Sequence, residues 1–222
     1  MTNPVKPTLK TEILPLLILV AAIISSFYFY SHFPEKVPTH WNFAGEVDDW
    51  GSRAIAFVIP AVMVGIYILF LVFPFLDPKK EKYEQFSKVY HVFKGVMVLF
   101  MAILYFATSL NTLGYNLPIG IIVPVGVGLL FIIIGNYMGK IKSNWFFGIR
   151  TPWTLSSEEV WNKTHRFGGK MFILSGLLIA LDAFLPINWR LGVFIAALII
   201  LLLGTMGYSY LIYLKEKKTR NA

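Results

Sequence analysis

Six stretches of the chain are long, apolar and almost free of charge: residues 13–30, 55–76, 92–113, 117–138, 171–187 and 191–214. Crossing ~30 Å of hydrocarbon takes roughly 20 residues of helix, with about 17–25 as the usual range. All six fall in or close to that range, and the fifth is the shortest. Away from their ends they carry a basic residue only at Lys94, near the start of the third. In lipid each backbone N–H and C=O must find its partner within the segment, so such runs are predicted as helices. The sequence therefore predicts an all-α membrane protein with six transmembrane helices.

Composition supports this. Only 14% of the 222 residues are charged and the mean hydropathy is +0.64, whereas a soluble domain has about 25% charged residues. In water such a chain would expose large apolar patches, so its first partner is the lipid bilayer. There is no cysteine, which excludes disulfides, thiolate metal sites and cysteine nucleophiles. The net charge of +8 does not point to direct nucleic-acid binding, because the basic residues lie between apolar runs, where membrane topology needs them. The first run is longer than a signal-peptide core and continues into Phe27-Tyr-Phe-Tyr30, so it is read as a retained helix.

Charge also sets the expected orientation. Seventeen of the twenty Lys and Arg fall in the N-terminal tail, the second and fourth connections and the C-terminal tail, against Lys36, Arg53 and Arg190 on the other side. By the positive-inside rule the basic side is cytoplasmic and both termini are inside. Residues 114–118 and 188–190 are too short for anything but tight hairpins between antiparallel neighbours. Two regions are expected: residues 1–90, with helices 1–2 and an external loop 31–54, and residues 91–222, with helices 3–6 and a cytoplasmic loop 139–170. No internal repeat or low-complexity segment is visible.

The external loop is punctuated by Pro34, Pro38, Gly45 and Gly51 and gathers His40, Asn42, Glu46, Asp48 and Asp49 within ten residues. One reading is an ordered solvated turn with Trp41 and Trp50 anchored at the headgroups. Another is a polar-ligand or divalent-metal site with His40, Asp48 and Asp49 as weak candidates; no other cofactor is expected. The cytoplasmic loop centres on Gly148-Ile-Arg-Thr-Pro-Trp-Thr-Leu155. Pro152 favours an extended Thr151. Ser156 and Glu159 have capping-box spacing, predicting a short amphipathic helix over 157–165 with Val160, Trp161 and Thr164 on one face. It either lies on the inner headgroups or forms a docking platform with Arg150, Trp153, Trp161, His165 and Arg166.

Asp182, Asn111 and Asn136 are polar residues within or near the spans, functional candidates by default; Asp182, near the end of its run, can also reach the outer interface. Gly135 and Gly139 form a small-xxx-small pair, with Gly126 and Gly128 before them, pointing to close helix packing. Pro60, Pro74 and Pro124 are read as helix-end or kink residues. No catalytic motif is present, the four histidines (His32, His40, His91, His165) are divided between the two sides, and the chain is not expected to be an enzyme.

Gly148-Ile-Arg-Thr-Pro-Trp-Thr-Leu155, followed by Val160-Trp161 and Thr164-His165-Arg166, resembles the signature of the bacterial Sdp immunity family. Those membrane proteins protect a producing cell from the secreted sporulation-delaying toxin. Pro38-Thr-His-Trp-Asn-Phe-Ala-Gly-Glu-Val-Asp48 is similar to the small N-terminal domain of unknown function that accompanies the family. The resemblance implies toxin immunity in the bacterial inner membrane. It also implies a receptor role, with a secreted peptide toxin as external partner and a transcriptional repressor as cytoplasmic partner. Carried over by motif, Arg150, Thr151, Pro152, Trp153, Thr154, Trp161, His165 and Arg166 form an inner functional surface. Pro38, His40, Asn42, Gly45 and Asp48 form an outer one. Two rival readings are a small transporter or channel built on Asp182, Asn111 and Asn136, and a membrane enzyme using an external His/Asp site.

Overall fold

The computed structural model describes residues 4–220. The elements run α1 (Leu9–His32), β1 (Lys36–Trp41), β2 (Val47–Ser52), α2 (Val58–Leu76), α3 (Ser87–Thr112), α4 (Ile119–Met138), α5 (Pro152–Ser156), α6 (Glu158–Asp182) and α7 (Ile187–Arg220). Short 3₁₀ turns at Arg53–Phe57 and Lys80–Phe86 lead into α2 and α3. Five segments are long and apolar enough to cross a membrane: Leu9–His32, Arg53–Leu76, Lys80–Thr112, Ile119–Met138 and Ile187–Thr219. The chain is a multi-pass membrane protein. Its exposed leucines, such as Leu14, Leu69 and Leu203, are surface that hydrocarbon solvates.

The expected fifth span, 171–187, is not a helix of its own. It divides between the apolar second half of α6 and the turn before α7, and α6 begins with a charged half that holds Glu158, Glu159, Lys163, Arg166 and Lys170. The expected amphipathic helix over 157–165 is therefore the first part of α6. The helix that does stand alone is α5, and its start corrects the capping assignment. Thr151 and Thr154 form the capping box, with Pro152 just inside the helix, where a missing N–H costs nothing. Ser157, extended at φ −143°, separates α5 from α6 and caps α6 by accepting from the Val160 N–H. Ser156 and Glu159 do not make the predicted box.

The outer loop is not a simple turn, and the fold is not purely helical. Strands β1 and β2 pair antiparallel, with irregular register around His40. Asn42 closes the tip: its Oδ1 accepts from the Ala44 and Glu46 N–H groups at 2.9 and 3.1 Å, and Gly45 turns the chain at φ +81°. The tip rests on the C-terminal helices. A Cβ on Gly45 would lie 3.0 Å from the Gly120 Cα, and the Phe43 and Phe194 rings meet edge-on at 5.6 Å.

Helices α4 and α6 touch backbone to backbone at two levels. A Cβ on Gly128 would lie 2.5 Å from the Gly176 carbonyl oxygen, and one on Gly135 would lie 2.6 Å from that of Gly169. The seam therefore follows a seven-residue spacing on both helices. Gly139 is outside it, with Arg166 Cγ 3.5 Å from its hypothetical Cβ, so the predicted Gly135/Gly139 pair is half right. One core cluster packs α1, α2 and α3 around Leu19, Phe29, Met63 and Tyr105. The other gathers Tyr83, Tyr90, Ile141 and Trp161 at the opposite, basic end.

Candidate functional site

The basic end is organised around the connection from α4 to α6, and each bend in it has a buried polar anchor. Asp77, just past α2 and 2% exposed, accepts the Trp145 N–H at 2.8 Å and the Tyr83 hydroxyl at 2.9 Å on Oδ2, and the Lys79 N–H at 2.8 Å on Oδ1. It ties the α2–α3 connection to the α4–α5 connection, as does the Lys79 ammonium, which donates to Ser143 Oγ at 2.8 Å. Asn144 is fully buried. Its Oδ1 accepts from the Phe146 and Phe147 N–H groups and its Nδ2 donates to the Lys142 and Phe147 carbonyls. The whole amide is thereby committed to folding the loop.

Gly148 follows at φ +101°, and a Cβ there would lie 2.3 Å from His165 Nε2. That space is kept for a hydrogen bond: His165 Nε2 accepts from the Ile149 N–H at 3.0 Å, while Nδ1 donates to the Trp161 carbonyl at 2.8 Å. Only the neutral Nδ1–H tautomer satisfies both. Burial pushes this imidazole down to about 4, against the opposing pull of the Trp161 carbonyl. The Trp161 indole stacks on the imidazole at 4.0 Å and donates to the Ile141 carbonyl at 2.9 Å. Thr154 donates to the Ile149 carbonyl at 2.8 Å, and Thr151 reaches Ser209 of α7 at 3.2 Å.

Residues 140–209 match the SdpI/YfhL protein family. Residues 17–64, covering most of α1, the β-hairpin and the start of α2, match a domain of unknown function (DUF1648). The chain is also 29% identical over 212 residues to the immunity protein SdpI of Bacillus subtilis (strain 168), an alignment that spans 96% of this chain and 100% of the relative. No solved structure matches the chain.

The SdpI/YfhL region thus opens at the braced loop and closes at Ser209, whose hydroxyl meets Thr151. Within it the structure sorts the predicted inner surface into two kinds of residue. Thr151, Thr154, Trp161 and His165 are buried and hold the loop in shape. Arg150, Pro152 and Arg166 are exposed and Trp153 is half-buried against Tyr210. Arg150 also donates to the Trp145 carbonyl at 2.7 Å. Outside, Asn42 and Gly45 build the hairpin tip and Pro38 lies within β1. His40 and Asp48 are exposed and meet at 2.5 Å, which is the reach an acid–base pair requires. Asp49 instead accepts its neighbour's N–H, that of Trp50. Among the described residues no group of three or more His, Asp or Glu side chains is gathered to hold a metal.

The three polar residues expected within or near the spans do not converge. Asn111 donates to the Tyr115 and Leu117 carbonyls and shapes the α3–α4 turn. Asn136 is exposed and donates to the Ile132 carbonyl of its own helix. Asp182 ends α6, 2% exposed, with Oδ1 unpartnered among the described residues. The polar cluster within the helices is a different one. The Lys94 ammonium donates to both oxygens of Glu12 at 2.5 and 2.6 Å, and the Tyr67 hydroxyl donates to the same carboxylate at 2.6 Å. Lys94 stood out in the sequence as the one basic residue inside a span; its partner, 82 positions away, did not.

Proposed function

We propose that this chain is a non-enzymatic immunity protein of the bacterial cell membrane that protects its host from a membrane-active peptide toxin. The observation that carries this reading is the near full-length similarity to a protein named for immunity. The SdpI/YfhL region that supplies the braced loop supports it. The uneven placement of Lys and Arg supports both termini inside and the hairpin outside, with α6 crossing as the sixth span.

In this reading the hairpin and the neighbouring helix ends meet the toxin. The hairpin tip sits on α4 and α7, and those helices carry the inner loop at their other ends. A toxin that binds one arrangement of this bundle better than another shifts the population toward it, by no more than its difference in affinity. The exposed set Arg150, Pro152, Trp153 and Arg166 then presents or withdraws a docking face for a cytoplasmic repressor.

Expression in a toxin-sensitive host tests this directly. The wild-type chain is expected to restore survival, His40→Ala to weaken it from outside, and Arg150→Ala to abolish repressor recruitment while leaving the protein in the membrane. If cells lacking the chain survive toxin as well as cells carrying it, the immunity reading is wrong.

A further inference from the structure

An open groove of about 430 Å³ runs between α6 and α7 at the basic end. Lys163, Arg166 and Lys170 line it from α6 and Lys215 from α7. The three α6 cations are spaced by three and four residues, which places them on one helix face. Between them the wall is two rings, Phe167 and Tyr208, stacked at 4.2 Å. Lys163 is paired with Glu159 at 2.5 Å, and Glu216 accepts the Ser157 hydroxyl at 2.6 Å. Arg166, Lys170 and Lys215 have no carboxylate within ion-pair distance among the described residues.

The position of these charges narrows the ligand. Lys170 is the last basic residue of α6 before its apolar half, and Lys215 is the first charge after the 24 uncharged residues 191–214. In the six-span topology proposed above, on which this inference rests, both mark the boundary between hydrocarbon and headgroups. The α6 face that carries Lys163, Arg166 and Lys170 continues, at the same spacing, into Leu174 and Leu177, which are 42% and 47% exposed. A ligand for that stripe must be anionic at one end and apolar at the other.

We propose that this groove binds the headgroup of an anionic phospholipid from the leaflet at the basic end. The phosphodiester sits among Arg166, Lys170 and Lys215, where the planar guanidinium can give two parallel hydrogen bonds and the ammonium groups supply point charges. The acyl chains follow Leu174 and Leu177 into the bilayer. A soluble acidic partner uses the cations and leaves the leucine stripe bare, so the lipid accounts for more of the surface. The site stands apart from toxin immunity, and failure of one leaves the other intact.

The test is reconstitution of the full chain in nanodiscs of phosphatidylcholine with graded phosphatidylglycerol, followed by native mass spectrometry of retained lipid. The wild type is expected to hold phosphatidylglycerol in preference to phosphatidylcholine. Each basic residue near a membrane surface is worth roughly a fivefold change in binding, so Lys170→Gln with Lys215→Gln should weaken retention about thirty-fold. Lys170→Arg with Lys215→Arg should preserve it, which separates charge from misfolding. Lys140→Gln with Lys142→Gln, equal in charge but outside the groove, should change it little. Equal loss in both glutamine pairs, equal retention of the two lipids, or displacement by millimolar inorganic phosphate overturns the proposal.

Discussion

The Ile149 N–H donates to His165 Nε2 at 3.0 Å, and this bond exists only while the imidazole is neutral. An ordinary imidazole titrates near 6.5, whereas this one, buried, titrates near 4. Between those values the unfolded chain binds a proton that the folded chain refuses, so stability falls as pH drops from about 6.5 to about 4 and is fully present above that window. The gap corresponds to up to about 3 kcal/mol. Thermal unfolding in detergent at pH 7.5 and pH 4.5 should show a larger acid loss in the wild type than in His165→Phe. The variant should also be less stable at pH 7.5, because it strands the Ile149 N–H at about 1–3 kcal/mol. Parallel acid curves for the two proteins would refute the assignment.

Gly148 makes room for that bond. Its φ of +101° and the 2.3 Å approach of its hypothetical Cβ to His165 Nε2 both oppose any side chain. Gly148→Ala combines backbone strain of roughly 1–2 kcal/mol with overpacking of roughly 1–3 kcal/mol. His165→Ala in the same molecule removes the clash but not the strain. A double-mutant cycle should therefore return a favourable coupling between the two substitutions, and strict additivity would count against the contact.

The sequence made the membrane helices and the loop motif legible for a physical reason: both are local signals. An apolar run of about 20 residues needs no tertiary partner to be recognised, and Pro152 announces an extended Thr151 wherever the loop lies. Facing was hidden. Trp161 and His165 read as hot-spot residues of a surface, yet they point inward, because an amphipathic pattern does not say which element will cover it. Asp77 and Asn144 gave no signal, since their worth comes from the backbone groups they meet across the fold. The boundary of α6 was missed because hydropathy changes at Lys170 while helix geometry does not. The hairpin was missed because its Pro and Gly residues resemble loop punctuation.

The glycine seam gives a prediction in which two similar glycines behave differently. Gly135 and Gly169 face each other so closely that a Cβ on either would stand 2.6 Å from the other's carbonyl oxygen, whereas one on Gly139 would find only Arg166 Cγ at 3.5 Å. Gly169→Ala should force α4 and α6 apart and cost about 1–3 kcal/mol by overpacking. Gly139→Ala should be nearly neutral. Unfolding midpoints of the two variants, measured side by side, check this; equal effects would mean that the helices do not meet at this seam.

The Glu12–Lys94 pair joins α1 to α3 in a poorly solvated place. The Lys94 side chain is 2% exposed and that of Glu12 12%, and Tyr67 of α2 donates to the same carboxylate. Removing one partner leaves the other charge buried without compensation, at a cost of about 3–5 kcal/mol; replacing both with apolar groups of similar size is often neutral. Lys94→Met and Glu12→Leu should therefore each lower stability strongly, and the double variant should recover most of the loss even though Tyr67 then lacks its acceptor. Thermal unfolding of the three variants decides it. If the double variant is as unstable as the sum of the singles, the two residues act independently, and three helices cannot owe their alignment to this carboxylate.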